Sequence, residues 1–160
     1  MIILALDSGF DKTGYAVFHK KNQQNIILIT SGLIKTSQND LLEKRLFNVY
    51  QKVYKLVKKY CPKKLILEQL FFFKNQKTMV KVSQAQGATL LLAGQNKIPV
   101  EFLTPLEIKQ IVTGYGQSDK KAVEKMLRLQ LNLKQKFKDD DEVDAIACGY
   151  AYCLQNQNLK

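Results

Sequence analysis

The sequence predicts an α/β protein: a five-stranded mixed sheet with helices on both faces. Three observations carry that prediction. Ile2 to Leu6 is an unbroken apolar run, the pattern of a strand buried on both sides. Two more strand-like segments follow it through short turns, as an antiparallel meander would. Later apolar runs are separated by amphipathic stretches, and right-handed helical crossovers would lay those runs parallel to the first strand.

Element by element, the first strand ends in Asp7, and Ser8-Gly9 turns the chain. Tyr15 to Phe18 reads as the second strand and Asn25 to Ile34 as the third, with a turn at Lys20 to Gln24. Asp40 is the expected N-cap of a helix whose apolar positions are Leu42, Leu46, Val49, Val53, Leu56 and Val57, and Cys61-Pro62 ends it. Leu65 to Leu67 forms a buried strand that runs into Glu68. After a loop containing Phe71 to Asn75, Thr78 to Asn96 reads as a long helix. Its small residues Ala85, Gly87, Ala88, Ala93 and Gly94 suit close packing, either against the sheet or against a second copy. Ile98 to Leu103 is the fifth strand, and Pro105 opens a short helix broken at Gly114-Tyr115-Gly116. Ser118 is expected to cap a basic helix from Asp119 to Leu131, and the last helix runs from Asp141 to about Gln155. The 160 residues carry no linker or repeat and are expected to form one domain over residues 1–160.

Composition narrows the classes of function. Twenty-five Lys and Arg against 14 Asp and Glu leave a net charge of +11, which favours a polyanionic partner. Twenty-three of the basic residues are Lys, which suits contact with phosphates more than bidentate reading of bases. A single histidine, His19, excludes a multi-histidine metal site. Cys61, Cys148 and Cys153 have no C-x-x-C spacing and are expected to be reduced packing residues in a cytoplasmic protein. No apolar run approaches the ~18 residues of a membrane span, and the N-terminus lacks the pattern of a signal peptide.

The acids are placed unevenly. Asp7 taken alone reads equally well as the cap of its own turn. The pattern recurs, however, at Glu68, and strands one and four are expected side by side, so the two carboxylates would meet at one sheet edge. Five of the 14 acids lie between Asp139 and Asp144, and Asp141 and Asp144 share a helical face. A helix docking that end over Asp7 and Glu68 would gather four carboxylates, whose repulsion two hard divalent cations relieve. All-oxygen ligands suit Mg²⁺, with Mn²⁺ as a substitute. Two such ions serve phosphodiester hydrolysis, and the basic surface adds a nucleic-acid backbone: together, a metal-dependent nuclease.

The motifs resemble those of RuvC-type Holliday junction resolvases. The resemblance rests on Asp7-x-Gly9-x-x-x-Thr13-Gly14, Leu67-Glu68-Gln69-x-Phe71-x-x-Lys74-Asn75, Ile108-Lys109-Gln110-x-Val112-x-Gly114-x-Gly116, Lys120 and Asp141-x-x-Asp144-Ala145, in order along nearly the whole chain. Ser8 departs from the family's proline. The resemblance implies a ribonuclease H-like fold and a homodimer that makes paired, Mg²⁺-dependent incisions in four-way DNA junctions, leaving 5′-phosphate and 3′-hydroxyl ends. It implies Asp7, Glu68, Asp141 and Asp144 as catalytic metal ligands, two ions per site. It also implies DNA contacts by Lys109 and Lys120, and a branch-migration helicase as a candidate partner. Phe71 is the expected wedge at the crossover, with Lys74, Asn75, Lys77 and Lys81 on the DNA backbone, while Phe72 or Phe73 covers the core. The competing readings are a ribonuclease H-like enzyme on RNA–DNA hybrids and a non-catalytic junction binder. A sugar-kinase-type phosphotransferase would need a second half that 160 residues cannot hold.

Overall fold

The central strands of the sheet alternate between two cores. In β1 (Ile2–Asp7), Ile3 and Ala5 join one core, while Leu4 and Leu6 join the other. In β4 (Lys64–Glu68), Ile66 faces the first core and Leu65 and Leu67 the second. This is the period of two that a strand covered on both sides requires. The computed structural model describes residues 1–22, 24–70, 76–134, 137 and 139–155, without the side chains of Gln76 and Lys77.

With β2 (Lys12–Lys20), β3 (Ile26–Lys35) and β5 (Val100–Leu103), the sheet has the order β3-β2-β1-β4-β5. β1, β2 and β3 form the expected antiparallel meander, and β4 and β5 run parallel to β1. Helices α1 (Leu42–Tyr60) and α2 (Gln76–Gln95) cover one face. Helices α3 (Pro105–Thr113), α4 (Lys120–Gln130) and α5 (Asp140–Gln155) cover the other. α5 lies flat on β1 and β2, because Gly149 leaves no side chain there: a Cβ would sit 2.6 Å from the Phe18 ring and 2.8 Å from Ala5 Cβ. Among the described residues no helix is long and apolar enough to cross a membrane.

The caps differ from expectation in two places. Leu41, not Asp40, occupies the N-cap of α1 and makes no side-chain capping bond. Asp40 instead spends its carboxylate on Lys44, at 2.6 Å. Asp119, not Ser118, caps α4, accepting from Ala122 N at 2.7 Å, while Ser118 Oγ lies 2.7 Å from Thr113 Oγ1. Cys61 ends α1 as expected, in a left-handed conformation with φ 47°. β5 starts later than the apolar run, because Ile98 N still bonds Ala93 O and closes the end of α2. Ala85 and Ala93 are buried, whereas at Gly87 and Gly94 a Cβ would meet open space, so of the two expected packings these glycines do not serve the one against the sheet.

Candidate active site

Strand register brings the first two acids together. Leu6 pairs with Leu67, and the same parallel register carried one residue on sets Asp7 beside Glu68. Strand alternation turns both toward the α5 face, since they follow Ile3, Ala5 and Ile66 by even steps. The first turn of α5 is held over that edge by the meander. Gly14 in β2 approaches it so closely that a Cβ would lie 1.8 Å from the Asp141 carbonyl oxygen. Ser31 Oγ donates to Glu142 Oε1 at 2.6 Å, and Lys12 Nζ pairs with Asp139 at 2.7 Å.

Electrostatics ties the four acids into one cluster. Burial pushes Asp7 up to about 8, with Glu68, Asp144 and Asp141 raising it further against an opposing Lys120. Burial also pushes Glu68 up to about 7; Asp144 adds to the rise, and Lys120 and Lys109 oppose it. Asp141 is raised by burial and by the neighbouring Asp139. Lys120 Nζ lies 2.9 Å from Asp144 and 3.4 Å from Asp140. Burial works against its charge, but those carboxylates outweigh it and hold Lys120 above the ordinary lysine range. Hard oxygen donors gathered at one edge, three of them with raised pKa values, fit a divalent cation, and no imidazole competes. Among the described residues no three acidic, histidine or cysteine side chains are already drawn into a cage, so ligation would require the carboxylates to close on the ion. A cleft of about 460 Å³ opens beside Asp7 and Glu68, walled by Leu70, Met79, Val82 and Pro105.

Of the expected DNA contacts, Lys109 and Lys120 stand close enough to act on Glu68. Lys81, on α2, places its ammonium 5.5 Å from the centre of the Phe10 ring, against the turn that follows Asp7. Lys77 lies in the first turn of α2, with only its backbone described. Phe71, Lys74 and Asn75, with Phe72 and Phe73, lie outside the described residues.

Three supporting residues escaped the sequence reading. Gln86 Nε2 donates to the Glu68 carbonyl at 3.0 Å, tethering the end of β4 to α2. Lys12 steadies the first turn of α5. Arg45 is buried under the turn after Asp7: it donates to Phe10 O at 3.3 Å and Thr36 Oγ1 at 3.0 Å, pairs with Asp11, and lies 3.7 Å over the Phe10 ring. A signal for Arg45 existed, since it stands in i+4 steps with the buried Val49 and Val53. Gln86 left none, because its partner is a backbone carbonyl on another element.

The sequence model of one family, Crossover junction endodeoxyribonuclease RuvC, matches residues 3–152. A protein of that name from Petrotoga mobilis is 39% identical over 95% of this chain and 93% of its own length. Another, from Thermosipho melanesiensis, is 40% identical over 96% of each. Among solved structures, T. thermophilus RuvC in complex with a Holliday junction substrate superposes with a TM-score of 0.92 at 25% identity, over 98% of this chain and 95% of that one. The sheet order, the helices on both faces and these likenesses define a ribonuclease H-like endonuclease. The chain belongs to the RuvC family of crossover junction endodeoxyribonucleases, which are metal-dependent nucleases.

Proposed function

We propose that this chain acts in the cytoplasm as a homodimer that resolves four-way DNA junctions by paired phosphodiester incisions. The reading is carried by one observation: Asp7, Glu68, Asp141 and Asp144 form a single electrostatic cluster at a sheet edge, with Lys109 and Lys120 beside it. We assign the four carboxylates as ligands of two Mg²⁺ ions, which when bound would activate a water and stabilise the leaving 3′-oxygen. Lys120 then has two roles, as counter-charge to Asp144 before the ions arrive and as a phosphate contact afterwards. Lys109, whose charge acts on Glu68, is suited to the second of these. Lys74, Asn75, Lys77 and Lys81 extend the backbone contact, and Phe71 takes the place of a base at the crossover.

Two symmetric cuts need two active sites, which an isologous dimer supplies. The outer face of α2 supports this reading. Val80, Gln84, Gly87, Leu91 and Gly94 follow one another in steps of four and three, the spacing of a helix–helix seam. Val80 is 57% and Leu91 60% exposed, and the two glycines leave room for a second backbone.

The test is incision of junction, plain duplex, RNA–DNA hybrid and single-stranded DNA, each with Mg²⁺ or with EDTA. The expected result is Mg²⁺-dependent, symmetric nicking of the junction with 5′-phosphate ends. Preferential cutting of the hybrid would replace this reading with a ribonuclease H activity. Binding to the junction without any cut would make the chain a junction binder.

A further inference from the structure

Between α3 and α4, the residues Gly114 to Ser118 form a turn braced by its own hydrogen bonds. Gly114 ends α3 in a left-handed conformation, φ 81°. Gln110, one turn earlier, clamps the turn from both ends of its side chain: Nε2 donates to Gly114 O at 2.8 Å, and Oε1 accepts from Gly116 N at 2.9 Å. Thr113 Oγ1 accepts from Tyr115 N at 3.1 Å and sits 2.7 Å from Ser118 Oγ, and Ser118 N returns to Tyr115 O at 3.1 Å. Such a turn has little freedom left to lose on binding.

What this turn presents is aromatic. Tyr115 is 60% exposed, and its hydroxyl donates to Gln117 Oε1 at 3.2 Å, which limits the orientations of the ring. Leu106, 61% exposed, stands against the same turn: a Cβ on Gly116 would lie 3.1 Å from Leu106 Cγ. Lys109 precedes the turn and Lys120 follows it, and both act on the active-site carboxylates, Lys109 on Glu68 and Lys120 on Asp7, Glu68 and Asp144. Along the chain, Tyr115 thus lies between two cations that act on the active-site carboxylates. Aromatic face together with basic flank is the composition of a surface that stacks a nucleobase while its backbone runs over lysines. A lone exposed tyrosine needs no explanation. One held by its hydroxyl on a braced turn, between two active-site lysines, is pre-organised for contact.

We propose that Tyr115 is a stacking platform for an unpaired nucleobase of the DNA next to the incision site, with Leu106 extending the apolar surface. The proposal rests on junction DNA being the substrate. It adds a contact on the α3–α4 side of the carboxylates, opposite in the sheet order to the β1–β2 turn with which Lys81 is engaged.

The experiment uses the full-length protein and a junction carrying 5-iodouracil at positions around the crossover, in EDTA so that binding is separated from cutting. Ultraviolet crosslinking is followed by peptide mapping, and affinities for junction and duplex are measured for the parent, Tyr115→Ala, Tyr115→Phe and Leu106→Ala. The expected result is a crosslink to the peptide containing Tyr115. Tyr115→Ala should weaken junction binding by roughly 5- to 150-fold, the worth of one stacked base. Tyr115→Phe, which keeps the ring, should stay near the parent, and Leu106→Ala should fall between. Duplex affinity should change little, since paired bases are not free to stack. A parent that binds the junction tightly, gives no crosslink at this peptide and loses nothing in Tyr115→Ala would overturn the stacking role and leave the resolvase reading intact. A parent without junction preference would instead bring down the resolvase reading.

Discussion

Replacing Gly14 with Ala tests how the active site is assembled. The glycine sits in β2 opposite Asp7 and far along the chain from Asp141 and Asp144, yet its missing side chain lets α5 reach the sheet edge. An added Cβ would lie 1.8 Å from Asp141 O, 2.5 Å from its carbonyl carbon and 3.1 Å from Glu142 N. These are backbone atoms of a helix's first turn, so no rotamer change relieves the clash. Restoring even a 3.0 Å separation moves the two backbones apart by about 1.2 Å. Overpacking of this kind costs about 1–3 kcal/mol. For a chain of this length that lowers Tm by about 2–12 °C. The effect on cleavage should be larger. Asp141 and Asp144 ride on the displaced turn, and a misplacement of ~1 Å costs about 10²-fold in rate. Gly149→Ala serves as the control. It also clashes, with Phe18 and Ala5, but two turns further along α5. It should lose comparable stability and much less rate. The assays are scanning fluorimetry, junction binding in EDTA, and single-turnover junction cleavage in Mg²⁺. If Gly14→Ala cuts at the parent rate, or if the two variants lose rate in proportion to stability, close approach at Gly14 does not position the carboxylates.

Three further outcomes are expected. Asp7→Asn, Glu68→Gln and the double change Asp141→Asn/Asp144→Asn should each abolish cleavage, because a metal ligand is lost, while junction binding in EDTA survives, because no phosphate contact is; a near-parental rate in Mg²⁺ for any of them would remove that residue from the site. In the metal-free protein, the folded-state values of about 8 for Asp7 and about 7 for Glu68 lie above the ordinary 3.8 and 4.5, so the unfolded chain releases these protons first and stability falls as pH rises from about 4 to about 8. Tm in EDTA should therefore drop between pH 5 and pH 8.5 and be restored by Mg²⁺ at the upper end; a metal-free Tm that climbs over this range contradicts the cluster. Leu91→Glu puts a charge on the proposed seam of α2, and sedimentation velocity should find it monomeric, with the two nicks of a junction no longer coupled; an unchanged dimer would move the interface elsewhere.

The order of strands and helices was legible in the sequence because it follows from local periodicity. Continuous apolar runs marked β1 and β4, and a 3.6-residue pattern marked α1. The handedness of crossovers then set β4 beside β1, and with it Glu68 beside Asp7. Candidate ligands were visible for a related reason: a carboxylate at the end of a buried strand is costly wherever it occurs, so its presence is a signal without any coordinates.

Contacts between elements distant in the chain were not legible, because nothing local encodes them. The pattern Thr13-Gly14 announces a glycine, but only the packed structure reveals that its neighbour is the backbone of Asp141. By residue type Arg45 is one more cation on α1, and only its burial makes it the brace of the Asp7 turn. Asp40 and Ser118 looked like caps because their residue types favour that role. Their side chains were taken instead by Lys44 and Thr113, and the choice among neighbouring polar partners depends on where the flanking chain is anchored. The sequence by itself determined which acids could meet and on which sheet edge, since strand parity and register follow from residue order. Only the tertiary structure decided how closely they meet and which cation faces them. Lys120 comes to Asp144 through the packing of α4 beside α5, a distance set by side-chain volumes in the shared core rather than by any spacing along the chain.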